Sequence, residues 1–463
     1  MSDAGVVVCG GGNAALCAAI EARRGGASVV LLERGPQHMR GGNTRHTRDI
    51  RLAHAAPNAA ATGAYDEDEF YADLLRVTGG ETNESLARRT IRESATLADW
   101  MADQGVRWQK PLTGTLSLSR TNGFFLGGGK HLVNTYYDTA RRLGVEVRYG
   151  ATVRAFEFAG ARAEAVVYED SVGREHRLVC GATVIAAGGF EADVEWLRAY
   201  WGDAAERFTI RGTPYNTGVA LMALYNAGAK PVGDPRGMHC VAVDARAPRF
   251  DGGIVTRIDS IPFGIVVNAA GARFYDEGED LWPKRYAIWG KLIADQPDQA
   301  AYAIFDAKAA GRFIPSVFRP LTADSIEALA GQLGLDASAV ARTVGRFNDA
   351  VQPGGAVEMD RLDGCGTTGL TPPKSNWAQR IDRAPYFAYP LRPGVTFTYL
   401  GVEVDAEARV ATSAGGRFEN VFAAGECMAG NILTRGYLAG FGLTIGAAFG
   451  RIAGKGAAQH ARA

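Results

Sequence analysis

The glycines near the start of the chain have the spacing of a dinucleotide-binding turn. The run Gly10-Gly11-Gly12-Asn13-Ala14-Ala15 fits the pattern G-x-G-x-x-A, follows a strand-like run of valines and opens a helix-like segment. Gly10 permits the sharp turn, Gly12 lets the backbone approach a pyrophosphate, and Ala15 lets the helix pack closely on the sheet. The start of this helix would offer free N–H groups and a partial positive charge to the phosphates. The alternative is a glycine-rich packing turn that binds no ligand.

An acidic residue ends the second strand of the same unit. Glu33 stands 23 residues after Gly10. Its carboxylate can accept hydrogen bonds from ribose hydroxyls, and it would repel a 2′-phosphate. Because the strand, the helix and the acidic residue all stand at the spacing of the motif, the segment predicts a dinucleotide site.

Two later motifs favour FAD over NAD as that dinucleotide. Glu33-Arg34 is followed after a short loop by Gly41-Gly42-Asn43-Thr44, and a strand-like run from Val421 to Ala424 ends in Gly425-Glu426. A strand with this ending can deliver backbone N–H groups and an acid to the second half of an extended dinucleotide. An NAD-binding domain rarely needs a segment from near the C-terminus to return to the dinucleotide site. We therefore expect FAD, with an NAD-dependent dehydrogenase and a non-catalytic flavin-binding scaffold as alternatives.

The elements that must position these motifs alternate between strand and helix patterns. Residues 5–33 read as a βαβ unit, residues 66–104 as helical, and residues 182–187 as a buried strand. From residue 234 the chain holds more proline and aromatic residues. Residues 396–463 again show the strand and helix patterns of the N-terminal part. We expect an α/β domain over 1–233 and 396–463, interrupted by a capping domain over 234–395.

Composition narrows the functional class further. The 463 residues include 50 Lys+Arg and 50 Asp+Glu, so the net charge is zero, and glycine is abundant at 59 residues. This balance argues against a nucleic-acid partner. No charged leader precedes the first apolar run and no apolar run reaches about 20 residues, so we expect no signal sequence and no membrane span. Scattered cysteines predict no metal site, and the cytoplasm is the expected location.

Several strings resemble the flavoproteins of the fumarate reductase and succinate dehydrogenase family. They are Gly10 to Ile20, Gly41 to Arg48, Arg273-Phe274-Tyr275-Asp276-Glu277 and the tail from Ala424 to Gly450. The resemblance covers nearly the whole chain. It implies a Rossmann-like FAD-binding domain of the glutathione-reductase type with an inserted α+β capping domain. The strings Arg273 to Gly290 and Arg435 to Gly442 are most similar to the tricarballylate dehydrogenases of this family.

The resemblance also implies a set of cofactor residues, with FAD held non-covalently. His46, four residues after Gly42, is expected near the flavin. The full expected set is Gly10, Gly12, Asn13, Ala14, Glu33, Arg34, Gly41, Gly42, Asn43, Thr44, His46, Thr47, Val153, Ala187, Gly188, Gly189, Gly425, Glu426, Gly442 and Leu443.

Dehydrogenation beside a carboxylate needs a hydride acceptor, a base for the α-proton and cations that hold the carboxylates. The resemblance places Arg285 as the arginine that relays the proton. Because an isolated guanidinium stays protonated, this relay requires a carboxylate partner, for which Glu277 or Asp280 is the candidate. The alternative for Arg285 is a surface salt bridge.

Further substrate contacts are implied by the same resemblance. Arg435, nine residues after Glu426, would bind a substrate carboxylate, with an internal ion pair as the alternative. His239 would touch substrate, or else serve as a hydrogen-bonded structural imidazole. Fumarate reductases carry a histidine shortly before a Gly-Gly-Val segment, where this chain has Thr398 and Tyr399. Hydroxyls in place of imidazole argue against fumarate or succinate as the substrate.

The expected activity is FAD-dependent α,β-dehydrogenation of a small polycarboxylate, with tricarballylate going to cis-aconitate. Another desaturase or enoate reductase of this fold, such as a fumarate reductase, urocanate reductase or 3-ketosteroid dehydrogenase, is the alternative. A polycarboxylate site needs several arginines, whereas a steroid site needs an apolar pocket. The resemblance implies a membrane-associated electron-transfer partner that reoxidises FAD, so the protein could lie at the inner face of the membrane through that partner.

Overall fold

The computed structural model describes residues 4–110, 118–250, 254–353 and 358–461. The strands in these ranges are β1 Ala4–Cys9, β2 Val29–Glu33, β3 Asp49–Arg51, β4 Asn122–Phe124, β5 Glu146–Tyr149, β6 Thr152–Ala159, β7 Arg162–Glu169, β8 Glu175–Ile185, β9 Thr209–Ile210, β10 Pro231–Val232, β11 Met238–Asp244, β12 Ile265–Asn268, β13 Ala301–Asp306, β14 Leu321–Ala323, β15 Tyr386–Thr398, β16 Gly401–Val402, β17 Arg409–Ala411 and β18 Arg417–Ala423.

The α-helices in the same ranges alternate with these strands. They are α1 Asn13–Arg24, α2 Glu67–Thr78, α3 Glu84–Ser94, α4 Leu97–Asp103, α5 Gly128–Arg142, α6 Val194–Trp201, α7 Val219–Asn226, α8 Trp282–Arg285, α9 Trp289–Ala294, α10 Ile326–Leu333, α11 Ala337–Ala350 and α12 Phe441–His460. In the described ranges, no helix combines the length and apolar character needed to cross a membrane.

The first sheet joins the two ends of the chain. Its strand order is β17-β18-β8-β1-β2-β5, and β7 links the hairpin strand β6 to β8. The pairs from β18 through β8, β1 and β2 to β5 are parallel. β1 and β2 are apolar runs buried on both faces, as expected for a parallel sheet between helices. The C-terminal part of the chain therefore completes a sheet begun at the N-terminus.

Helix α12 packs tightly on α1 because its facing positions are glycines. A Cβ at Gly450 would lie 2.5 Å from the carbonyl oxygen of Ala14, and one at Gly454 would lie 2.3 Å from that of Ala18. Real Cβ atoms do not approach backbone so closely, so larger residues would push the helices apart. The close contact fixes the start of α1 against the C-terminal segment.

The second sheet belongs to the middle of the chain. Its order is β11-β15-β13-β12, with β14 and β9 also paired to β15. One face carries α10 and α11, whose apolar residues form a separate core with Ile265, Val267 and Ile304. The expected boundary at residues 395 and 396 falls inside β15, so one continuous strand connects the second sheet to the final segment. The three domain ranges stay a prediction.

The region expected to be helical over 66–104 is divided into α2, α3 and α4. Gly79 ends α2 in the left-handed conformation at φ +66°, and the Asn83 side chain caps the start of α3 by accepting from Leu86 N–H. Apolar spacing alone did not reveal these interruptions, because the glycine pair and the capping residue set the boundaries.

Candidate active site

A large cavity opens where four parallel strands end. The ends of β1, β2, β8 and β18 lead into its walls, and its empty volume is about 1660 Å³. Ligands of open α/β sheets bind at the carboxyl ends of the strands.

One part of the cavity, the glycine end, is formed by residues Gly10 to Ala14 and Glu33. Gly10 has φ +116°, and a Cβ there would lie 2.2 Å from the carbonyl oxygen of Ala186. A Cβ at Gly11 would lie 2.2 Å from Glu33 Oε2. Gly12 precedes α1 without a side chain to cap it. The first turn of α1 is thus open to the cavity, and its N–H groups suit a pyrophosphate.

Glu33 is buried and held by backbone donors. Its carboxylate accepts from Gly35 N–H at 2.7 Å and from Gly41 N–H at 3.1 Å. Burial raises the pKa of Glu33, and these N–H groups oppose that rise. The acid, the open helix start and the close backbone approach fit the adenosine diphosphate half of FAD.

A second part of the cavity, the arginine end, is formed by Arg48, Arg211, Arg257, His239 and Tyr286. Arg211 and Arg257 are buried at 6% and 8% exposure. Arg257 forms a 2.8 Å ion pair with Asp259, and Arg211 donates to the Thr396 hydroxyl at 3.0 Å.

The three guanidinium groups are close enough to influence one another. Burial, and next the charge of Arg257, lower the pKa of Arg211 to about 10. Burial and Arg257 also lower the pKa of Arg48. An anionic ligand placed among these cations would relieve their mutual repulsion.

His239 lies between two aromatic rings at the arginine end. It stacks on Tyr437 with ring centroids 4.0 Å apart and meets Tyr286 edge-on at 5.5 Å. Its buried Nε2 has no hydrogen-bond partner among the described residues. Burial and the charges of Arg211 and Arg257 hold the pKa of His239 well below its usual range. The imidazole is therefore neutral and suited to a hydrogen bond with a bound molecule.

Comparison with known proteins decides the family. A family model described as an FAD binding domain matches residues 5–443. The NADH:fumarate oxidoreductase of Klebsiella pneumoniae (strain 342) is 29% identical over 479 residues, covering 99% of this chain and 48% of that protein. The chain belongs to the FAD-dependent flavoprotein family of fumarate reductases and succinate dehydrogenases. Its cofactor is FAD, and it is an oxidoreductase.

Solved structures confirm the α/β fold of this flavoprotein. The open conformation of a flavocytochrome c3 fumarate reductase superposes with a TM-score of 0.75 at 20% identity, covering 99% of this chain and 78% of that one. The 3-ketosteroid-delta4-(5alpha)-dehydrogenase from Rhodococcus jostii RHA1 also superposes with a TM-score of 0.75. It is 22% identical, and the match covers 98% of this chain and 96% of that one. The chain spans about half the length of the Klebsiella relative.

Most of the expected cofactor residues line the cavity of the flavoprotein. Gly41 and Gly189 stand behind its wall: Gly41 donates to Glu33, and Gly189 packs against Thr398 and Glu426. The residues that line it are Gly10, Gly12, Asn13, Ala14, Glu33, Arg34, Gly42, Asn43, Thr44, His46, Thr47, Val153, Ala187, Gly188, Gly425, Glu426, Gly442 and Leu443. Their individual contacts with FAD stay predictions.

The structure does not bring Arg285 or Glu277 to the cavity. Arg285 donates to Glu279 at 2.9 Å and does not line the cavity, although its neighbours Pro283 and Tyr286 do. Glu277 is held by Arg273 at 3.0 Å and by Val266 N–H at 2.8 Å. Both side chains are paired with an opposite charge, although the buried Arg285 Nε has no hydrogen-bond partner among the described residues.

Arg435 and Asp280 also lie away from the cavity. Arg435 donates to Thr78 O at 2.9 Å and pairs with Glu81 at 3.1 Å, and its side chain is 58% exposed. The alternative considered for Arg435 was an internal ion pair, whereas the pair with Glu81 is exposed at the surface. Asp280 pairs with Arg76 at 2.6 Å. A charge among apolar residues needs a partner, and for Arg435 the end of α2 supplies it.

Strand β15 presents different residues to the cavity from those expected. Thr396 and Phe397 line it, whereas Thr398 bonds Glu426 and the Tyr399 hydroxyl donates to the carbonyl of Gly436. His239 is the one residue of the expected catalytic set that lines the cavity in the described ranges.

Sequence reasoning missed Arg48, Arg211 and Arg257 as site residues. Arg211 and Arg257 each stand next to an isoleucine, whereas Arg48 lies between Thr47 and Asp49. The signal that could have found Arg257 is the pair Arg257 and Asp259 within an otherwise apolar stretch, because two opposite charges buried together need a functional or structural reason.

Proposed function

We propose that this flavoprotein interconverts a saturated small polycarboxylate and its α,β-unsaturated form, with tricarballylate and cis-aconitate as the pair. The observation that carries the proposal is the convergence of Arg48, Arg211 and Arg257 at one end of the FAD cavity. Arginine binds carboxylates through its planar fork of donors. Asp49 pairs with Arg48 and Asp259 with Arg257, and the three neighbouring cations together suit a ligand with more than one carboxylate.

The arginine end separates this proposal from its alternatives. A steroid would need an apolar pocket, and three buried guanidinium groups are costly in one. A monocarboxylate enoate reductase of the same fold would need fewer cations. Both alternatives share the FAD site, so the choice depends on substrate binding alone.

The proton step is assigned to the Arg257–Asp259 pair in place of Arg285. In the direction of reduction, Arg257 gives a proton to one carbon of the double bond and regains a proton from solvent, and the Asp259 carboxylate at 2.8 Å stabilises the reprotonated guanidinium. In the direction of oxidation both C–H bonds break, one proton returns to this pair, and the double bond forms. Bound FAD supplies the chemistry of accepting or donating the hydride.

The remaining residues at the arginine end hold the substrate. Arg211 and Arg48 bind carboxylates, and neutral His239 bonds an oxygen of the substrate through Nε2. Reoxidation of FAD is assigned to a membrane-associated electron-transfer protein, which would place the flavoprotein at the inner face of the membrane through that contact.

The test is anaerobic mixing of the FAD-loaded protein with tricarballylate, succinate and a 3-ketosteroid while the flavin absorbance is followed. Bleaching by tricarballylate that is lost in Arg211→Met supports the proposal, with Arg435→Met as the matched control that keeps it. Bleaching by the steroid alone would favour the 3-ketosteroid dehydrogenase alternative. Absence of bleaching by every acid would identify a binding scaffold.

A further inference from the structure

Two acidic residues meet beside the FAD cavity at the ends of neighbouring strands. Glu191 follows Gly188-Gly189-Phe190 after β8, and Glu426 follows Gly425 after β18. Because β8 and β18 are paired in parallel, their carboxyl ends bring the two acids together. Glu191 is fully buried and Glu426 is 7% exposed. Glu426 lines the cavity, and Glu191 stands behind it.

Fixed donors hold one oxygen of each carboxyl. Glu191 Oε1 accepts from the Asn43 amide at 2.6 Å and from the Asn216 amide at 2.8 Å. Glu426 Oε1 accepts from Thr398 N–H at 2.7 Å and from the Thr398 hydroxyl at 3.1 Å. These four hydrogen bonds fix the orientation of both side chains.

The second oxygen of Glu191 has no such donor. Within the described ranges, Glu191 Oε2 meets no N–H or hydroxyl donor, although it is fully buried. The carboxyls of Glu191 and Glu426 are within hydrogen-bond reach of each other, and Glu426 can donate to Glu191 only when it is protonated. A buried acceptor without a donor is costly, and a proton on Glu426 removes that cost.

The charges around the pair favour this single shared proton. Burial, and next the neighbouring Glu191, raise the pKa of Glu426 well above its usual range, and burial raises the pKa of Glu191. The ionisable groups nearest Glu426 are neutral: burial raises the pKa of Cys427 to about 12 and that of Tyr399 well above 10. No cation is among the largest influences on either carboxyl in the part of the chain that the structure describes.

We propose that Glu191 is a positioning residue that carries the negative charge of the pair and keeps Glu426 protonated, so that a neutral carboxyl faces FAD. The proposal rests on FAD occupying this cavity and is independent of the substrate. Asn43 and Asn216 stabilise the charge on Glu191. Adding electrons to FAD is easier beside a neutral group than beside a carboxylate, so Glu191 makes the cofactor a stronger oxidant.

Two isosteric variants test this with opposite expectations. In Glu191→Gln the charge moves onto Glu426 at the cavity, and the ratio of reduced to oxidised FAD at a fixed potential is expected to fall about tenfold. In Glu426→Gln the charge stays on Glu191, and the ratio is expected to stay close to that of the wild type. A merely structural role would make Glu426→Gln, which changes the cavity wall, the more disruptive variant.

Infrared spectroscopy gives a readout that needs neither FAD nor activity. The wild-type protein at neutral pH is expected to show the carbonyl band of a buried protonated carboxyl, and both single variants should lose it. Equal FAD reduction in Glu191→Gln and the wild type, or the absence of this band from the wild type, would overturn the proposal. If one variant fails to fold, loss of the band in the other still assigns it to this pair, because buried Glu33 is unchanged in both. Neither result depends on whether tricarballylate bleaches the flavin.

Discussion

The glycine end and the arginine end of the cavity are built by different means. Gly10 to Glu33 belong to one βαβ unit, and the constraint there acts on the backbone. Arg48, Arg211 and Arg257 come from three separate segments, and the constraint there acts on charge. A local motif can therefore be read as a site directly, whereas a cluster of dispersed cations becomes a site only when the sheets bring it together.

The largest expected effect tests the backbone constraint at the glycine end of the cavity. Gly10→Ala would place a Cβ 2.2 Å from Ala186 O at φ +116°, which should cost about 3 kcal/mol or more of the free energy of unfolding and abolish FAD binding. FAD content and thermal unfolding measure this. Gly160→Ala is the matched control, because φ is +62° but nothing lies within 4 Å, so about 1 kcal/mol is expected. Equal losses in both would contradict a steric constraint.

The next largest effect tests the role of charge at the arginine end of the cavity. Arg257→Met removes the assigned proton donor, and kcat should fall about 10²–10⁴-fold with FAD still bound. Arg285→Met is the control and should change kcat little, because Arg285 pairs with Glu279 away from the cavity. Steady-state kinetics of cis-aconitate reduction compare the two. A larger loss in Arg285→Met would restore the assignment made from sequence.

A smaller effect is expected for the acid at the glycine end. Glu33→Gln weakens the acceptor for ribose hydroxyls, and the Kd for FAD should rise about tenfold, as expected for a hydrogen bond to a charged group. Titration of the apoprotein with FAD measures it. Exposed Glu164→Gln serves as the control. An unchanged Kd would show that Glu33 only holds the backbone at Gly35 and Gly41.

The smallest effect is a pH dependence at the arginine end. The pKa of folded His239 lies well below its ordinary 6.5, so below pH 6.5 the unfolded chain takes up a proton that the folded protein does not. His239 therefore lowers stability as the pH falls below 6.5 and has no effect above it. Between pH 7.5 and 5.5, urea unfolding should show the wild type losing about 1.4 kcal/mol more than His239→Gln. Equal losses would mean that folded His239 is protonated.

The sequence by itself determined the dinucleotide end and the fold. The spacing of Gly10, Gly12 and Glu33 acts within one βαβ unit, where neighbours in sequence are neighbours in space. The return of the chain to the dinucleotide site at Gly425 could also be predicted from the sequence, because a short apolar run followed by Gly-Glu has few structural interpretations. These signals were sufficient for the α/β class and for FAD.

Only the tertiary structure decided which charges reach the substrate. Arg285 and Arg435 carry the same group as Arg211 and Arg257, and nothing in their local spacing separates a buried arginine that faces the cavity from one that is paired elsewhere. The difference arises from partners far along the chain: Glu81 and Thr78 hold Arg435, while β15 places Thr396 beside Arg211. Coulomb energy depends on distance in space and on burial, and both are fixed only when the two sheets have packed.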